Sequence, residues 1–164
     1  MKILLNGIKN SKKTLLIIIL VMTNIIMFSE KFEDLIKFSP SKYQTKSREI
    51  TKGGKVLETN IDDEQDHLKI ELYYNKEIYT IHIVKFNTLT NLTKFWYDFV
   101  EDYDDDGINT VISAVPLLYG KYNSLYKEDI LMSWFVGVDK IFYTVYGPTK
   151  SVVDDLKYRI NNFK

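Results

Sequence analysis

The chain has 164 residues, of which 45% are hydrophobic, 27% charged and 14% aromatic, with 22 basic residues balancing 22 acidic ones. This profile excludes a disordered, collagen-like or nucleic-acid-coating polypeptide, and the length supports one ordinary domain with a sizeable core. Cysteine is absent, which removes disulfides, thiolate metal ligands, thiol nucleophiles and lipidation through cysteine. Twenty of the basic residues are lysine, only Arg48 and Arg159 are arginine, and Ala114 is the sole alanine. Such a bias reads as AT-rich coding, so the abundance of lysine and tyrosine is not in itself a binding signal.

Lys2, Lys9, Lys12 and Lys13 precede an uncharged run from Thr14 to Ser29, after which charges become mixed at Glu30, Glu33 and Asp34. Sixteen helical residues cover roughly 24 Å against a hydrocarbon core of ~30 Å, so length alone separates neither a span nor a signal peptide. The flanks favour an uncleaved anchor, because a cut after Ser29 would place Met27 at the −3 position, where small residues are preferred. Secretion after cleavage is the alternative. The lysines ahead of the run keep the amino terminus cytoplasmic under the positive-inside rule and put the rest of the chain outside. Residues 1–13 then form a basic cytoplasmic end, 14–29 a transmembrane signal-anchor, 30–66 a juxtamembrane segment and tether, and 67–164 an extracytoplasmic domain at the cell membrane. Phe32, Leu35, Ile36 and Phe38 lie at helical spacing and suit an extension of the anchor or an interfacial helix. Pro40 and the Gly53-Gly54 pair mark the tether, with short edge strands over 46–50 and 55–61.

From His67 to Val84, Leu68, Ile70, Leu72 and Tyr74 alternate with His67, Lys69, Glu71 and Tyr73, which predicts a hairpin turning at Asn75-Lys76. Tyr79, Ile81 and Ile83 then share the core face, and His67, Lys69, Glu71, Thr80 and His82 form a wetter one. Residues 89–101 carry an apolar stripe at Leu89, Leu92, Phe95, Trp96, Phe99 and Val100, an amphipathic helix that Thr88 caps. Residues 110–115 read as a strand, while 116–127 fit either a helix or a strand and turn. Residues 130–136 and 141–146 form a second hairpin around Gly137 to Lys140. Ser151 to Phe163 closes the chain as a helix, with Ser151 and Asp154 at capping-box spacing. The expected fold class is therefore α+β: an amino-terminal membrane-anchor helix, then a small antiparallel sheet of two hairpins with two packed helices. The element order resembles the layout of PsbP-like proteins, small α+β sandwiches of export compartments, a likeness carried by no motif.

The sharpest local pattern is Asp102-Tyr103-Asp104-Asp105-Asp106-Gly107, the opening half of a calcium loop. Alternate carboxylates curl round one hard cation, and the glycine permits the turn. The expected ligands are Asp102, Asp104, Asp106, the Ile108 carbonyl and Thr110, with calcium as the cofactor. Position 12 is Ser113 in place of a bidentate glutamate, so an EF-hand is not expected, and a solvated helix-to-strand turn is the competing reading. Asp62, Asp63, Glu64 and Asp66 form a second acidic run in the loop before the first hairpin. His67 and His82 become diagonal neighbours across that hairpin and, with Glu71 nearby, offer two nitrogens to zinc or copper, against the plainer reading of surface histidines. Asn91-Leu92-Thr93 is a glycosylation sequon. The second hairpin is apolar on both faces, with Trp134 and Tyr143 on one and Phe135, Phe142 and Tyr146 on the other. Such a sheet must be covered twice, and a protein or small ligand is the partner expected there. Nucleophile elbows, zinc-protease helices and phosphate loops are absent from the sequence. Beyond Ser39 the chain carries a net charge of about −3, which disfavours nucleic acid. The sequence thus points to a single-pass, membrane-anchored binding or interaction domain without catalysis, with a cell-envelope hydrolase using the acids of residues 98–106 as the alternative.

Overall fold

Alternating apolar residues build strands well beyond the two hairpins expected. The computed structural model describes residues 31–103, 112–115 and 118–163. Within them, strands β1 (Gln44–Val56), β2 (Thr59–Tyr74), β3 (Glu77–Lys85), β4 (Ile112–Val115), β5 (Tyr119–Tyr126), β6 (Asp129–Val136) and β7 (Ile141–Gly147) form one antiparallel sheet. Its order is β1-β2-β3-β7-β6-β5-β4. Two meanders, β1 to β3 and β4 to β7, thus lie side by side and meet where Thr80 to Lys85 pairs with Tyr146 to Ile141. Helix α2 (Leu89–Tyr103) follows the first meander, α3 (Lys150–Asn161) follows the second, and a helical segment α1 spans residues 31–36.

Local chemistry sets the registers. Asn75 and Lys76 both adopt positive φ, 50° and 69°, the two-residue turn whose twist matches that of the strands it joins. Tyr74 therefore faces Glu77 and His67 faces Val84, as the alternation predicts. Lys127 and Glu128, at φ 49° and 75°, do the same between β5 and β6. Residues 119–126, open between helix and strand in the sequence, are strand because each pairs with β6, from Tyr119↔Val136 to Tyr126↔Asp129.

Both faces of the sheet carry helices. On one, Leu68, Ile70, Ile81, Ile83, Trp134 and Tyr143 pack beneath α1 and α3 through Phe32, Leu35, Val153, Leu156 and Ile160. On the other, Val84, Phe135 and Phe142 meet Leu92, Phe95, Trp96 and Phe99 of α2. The Thr88 hydroxyl accepts the Asn91 amide at 3.1 Å and caps α2. The closing helix starts earlier than its spacing suggested. Thr149 is its N-cap without a side-chain cap bond, because its hydroxyl donates instead to Glu77 at 3.1 Å.

The expected fold class is corrected at its sheet. The sheet is neither small nor two separate hairpins, since seven strands form one continuous surface. The anchor reading of residues 14–29 lies outside the described residues, and no described helix is long and apolar enough to cross a membrane. The tether reading of 30–66 also fails. Phe32, Leu35 and Phe38 are core residues at 2%, 1% and 1% exposure, and β1 pairs along β2 from Gln44↔Tyr73 to Val56↔Thr59. Arg48 of β1 donates its guanidinium N–H groups to the Ile36 and Phe38 carbonyls. It satisfies the carbonyls that a helix end leaves without partners.

Candidate functional site

Sequence alternation assigns His67, Lys69, Glu71, Thr80 and His82 to a wetter face. The structure buries three of them, with His67, His82 and Thr80 at 6%, 4% and 5% exposure. Pairing Lys69↔His82, His82↔Thr144, Ser133↔Thr144 and Tyr122↔Ser133 lines up a polar row across β2, β3, β7, β6 and β5 on the α2 side. Its hydroxyls find partners within the row or beside it. The Ser133 hydroxyl lies 2.8 Å from that of Thr144, and the Tyr122 hydroxyl donates to the Tyr103 carbonyl.

The histidines are the tightest part of this row. His67 Nε2 and His82 Nδ1 are 2.8 Å apart, with the rings stacked at 5.1 Å and 16°. His67 also bonds the Gly53 backbone. That bond makes His67 Nδ1 the donor and leaves Nε2 to accept from His82 Nδ1–H. His82 Nε2 is buried without a hydrogen-bond partner among the described residues. Burial, then the neighbouring His67 and Lys69, push His82 down to about 3, and burial lowers His67 as well. The pair is therefore neutral near pH 7. As a zinc or copper site it lacks a third ligand: among the described residues no group of three His, Cys, Asp or Glu side chains is placed to hold a metal.

Beyond the cover of α2, the same face opens to solvent. Tyr146 stacks over His82 at 6.1 Å and meets Tyr126 edge-on at 5.7 Å. Toward the β2-β3 turn, Tyr73 and Ile78 are opposite each other and 41% and 42% exposed. Between these lies a fixed charge cluster, with Lys69 at 3.1 Å and Lys46 at 3.3 Å from the Glu71 carboxylate. Lys69, then Lys46, hold that carboxyl below its usual range. Half-buried aromatics, exposed apolar groups and an oriented charge cluster on one face make an amphipathic contact surface.

The other predicted sites scatter. Asp102 lies in the last turn of α2 and accepts the Thr59 hydroxyl at 2.5 Å, whereas Asp104, Asp106, Ile108 and Thr110 lie outside the described residues. The second acidic run is strand, not loop, and Asp66 pairs with Lys52 at 2.6 Å. Asp62 of that run and Asp98 of α2 line one cleft of about 30 Å³, together with Asn60, Asn91 and Lys94. Lys94 supplies a cation there, and the sequon Asn91 forms part of the wall. Two acids away from the predicted hydrolase region sit in unlike environments: Asp129 is raised by burial and then by Glu77, while Glu77 accepts from Thr149 and Tyr79. The aromatics expected to receive a partner at the second hairpin are mostly core. Trp134, Phe135, Phe142 and Tyr143 are at most 3% exposed, and of that set only Tyr146 reaches the surface. Its neighbours Tyr73 and Ile78 on the open face come from the first hairpin, legible in the sequence as apolar residues at outward positions beside a turn.

No protein-family profile and no curated protein matches the chain. Among solved structures it is similar to a GTP binding regulator from Thermotoga maritima. The TM-score is 0.56 with 12% sequence identity, over 81% of this chain and 83% of that one. The likeness is one of fold.

Proposed function

We propose that this chain is a binding or interaction domain, attached to a membrane through residues 14–29 and presented on its outer side. Its contact surface is the open end of the α2-side face. The observation that carries the binding reading is the grouping of exposed Tyr73 and Ile78 with half-buried Tyr146 and the Lys46, Lys69 and Glu71 cluster on one face. Aromatic and aliphatic anchors beside oriented charges are what protein interfaces use at their centres and rims. A similar fold in a protein described as a GTP binding regulator favours binding over catalysis. The membrane reading draws on sequence: the four lysines ahead of the uncharged run favour a cytoplasmic amino terminus.

Two experiments test the two halves. A photo-crosslinking residue at Tyr73, in cells, is expected to give one discrete adduct that Ile78→Glu abolishes, and the absence of any adduct would remove the contact surface. Protease added to intact cells is expected to digest the domain, and protection that ends only on lysis would reverse the orientation.

A further inference from the structure

The entry point of the chain into the fold fixes which end of the domain can face a membrane. Ser29, the last residue of the uncharged run, is two residues from Lys31, a reach of about 7 Å even when extended. Lys31 is tied down: its Nζ lies 2.7 Å from the Asp139 carboxylate in the turn between β6 and β7. Asp139 is 8% exposed, and Phe32 and Leu35, which follow Lys31, are buried. At most that reach separates the end of the uncharged run from Lys31.

The surface around that point is apolar at its tips. Val138, beside Asp139, is 50% exposed, and Leu118 is 47% exposed. The two are held together, since the Gly137 amide donates to the Leu118 carbonyl at 2.8 Å. Lys31 neutralises Asp139, and Lys140 adds a second cation that reaches the Asn87 carbonyl at 3.2 Å. Apolar side chains flanked by lysines suit the boundary between headgroups and acyl chains, where lysines keep their charge in the polar layer.

We infer that the domain rests on the bilayer through Val138 and Leu118, with its β6-β7 turn toward the lipid. This rests on the membrane attachment proposed above. It also orients the contact surface. Ile78 lies seven residues along β3 from Lys85, which pairs with Ile141 beside the turn, so the surface stands about 24 Å farther out, directed away from the lipid.

The chain has no cysteine, so single labels are unambiguous. Full-length Val138→Cys, Leu118→Cys and Tyr73→Cys, each carrying bimane and each reconstituted in phosphatidylcholine vesicles, are compared with and without tail-brominated phosphatidylcholine. The expected result is at least twofold quenching at positions 118 and 138 and none at 73. Vesicle-bound protein with no quenching at 118 and 138, or with quenching at 73, overturns the orientation and leaves the attachment standing. Protein that fails to float with the vesicles overturns the attachment itself, and this inference with it.

Discussion

His82 couples the core to pH. In the folded chain burial holds it at about 3 against an ordinary 6.5, so as pH falls below 6.5 the unfolded chain takes the proton first. Stability is whole above that value and drains away as pH drops toward 3. Between pH 7.5 and 4.5 this one group is expected to cost about 3 kcal/mol. Urea unfolding at the two pH values measures it, and His82→Phe, whatever its baseline stability, should show a difference smaller by a similar amount. An unchanged difference would mean that the imidazole is not held neutral. Arg48 is the second residue whose identity matters, one of only two arginines among 22 basic residues. Its planar fork serves two carbonyls at once, Ile36 and Phe38, which a lysine cannot do. Arg48→Lys is expected to lower the unfolding free energy by about 1 kcal/mol in a urea titration, and no loss would show that water serves those carbonyls equally well.

Among the elements, α1 separates the sequence reading from the structure most clearly. The stretch 31–38, with four apolar positions, fits an interfacial helix as well as a core one, and periodicity alone does not say which surface receives the stripe. What decides is a set of distant partners, such as the Phe163 ring meeting Phe38 edge-on at 5.3 Å. Leu35→Ala is therefore expected to cost about 3 kcal/mol in urea unfolding, where a tether residue would cost nothing measurable. The hairpins were more legible, because a turn and a period-two pattern are local. Even there the pattern gives the faces and not their cover: His67 and His82 alternate with leucines in the way solvent-facing residues do, and only the Gly53-Gly54 backbone of β1 against His67 and the Tyr146 ring over His82 show that they are inside. In β5 the decisive contact also lies across the sheet. Gly120 faces Phe135, and a Cβ there would sit 2.3 Å from the ring. A buried ring has little room to retreat, so Gly120→Ala should destabilise by about 2 kcal/mol, and a neutral melt would show that the ring can move.

For the whole molecule, stability should radiate from the seam between the two meanders. β3 and β7 have neighbours on both sides, whereas β1 and β4 are the edges. Amide exchange is expected to be slowest at Ile81 to Val84 and Phe142 to Val145 and fastest along β1, and equal protection of β1 would indicate that its edge is covered. The Lys31 contact with Asp139 also imposes an order in time. The two residues are 108 positions apart, and at synthesis rates of about 5–20 residues per second the first waits roughly 5–20 s for the second to be made. Phe32, Leu35 and Phe38 are among the first residues of the fold to be translated and among the last to find cover, since α3 and the Phe163 ring complete their surroundings. A nascent chain of this protein therefore leaves these three apolar side chains without their final partners for most of its synthesis, and whatever shields them meanwhile takes part in its folding.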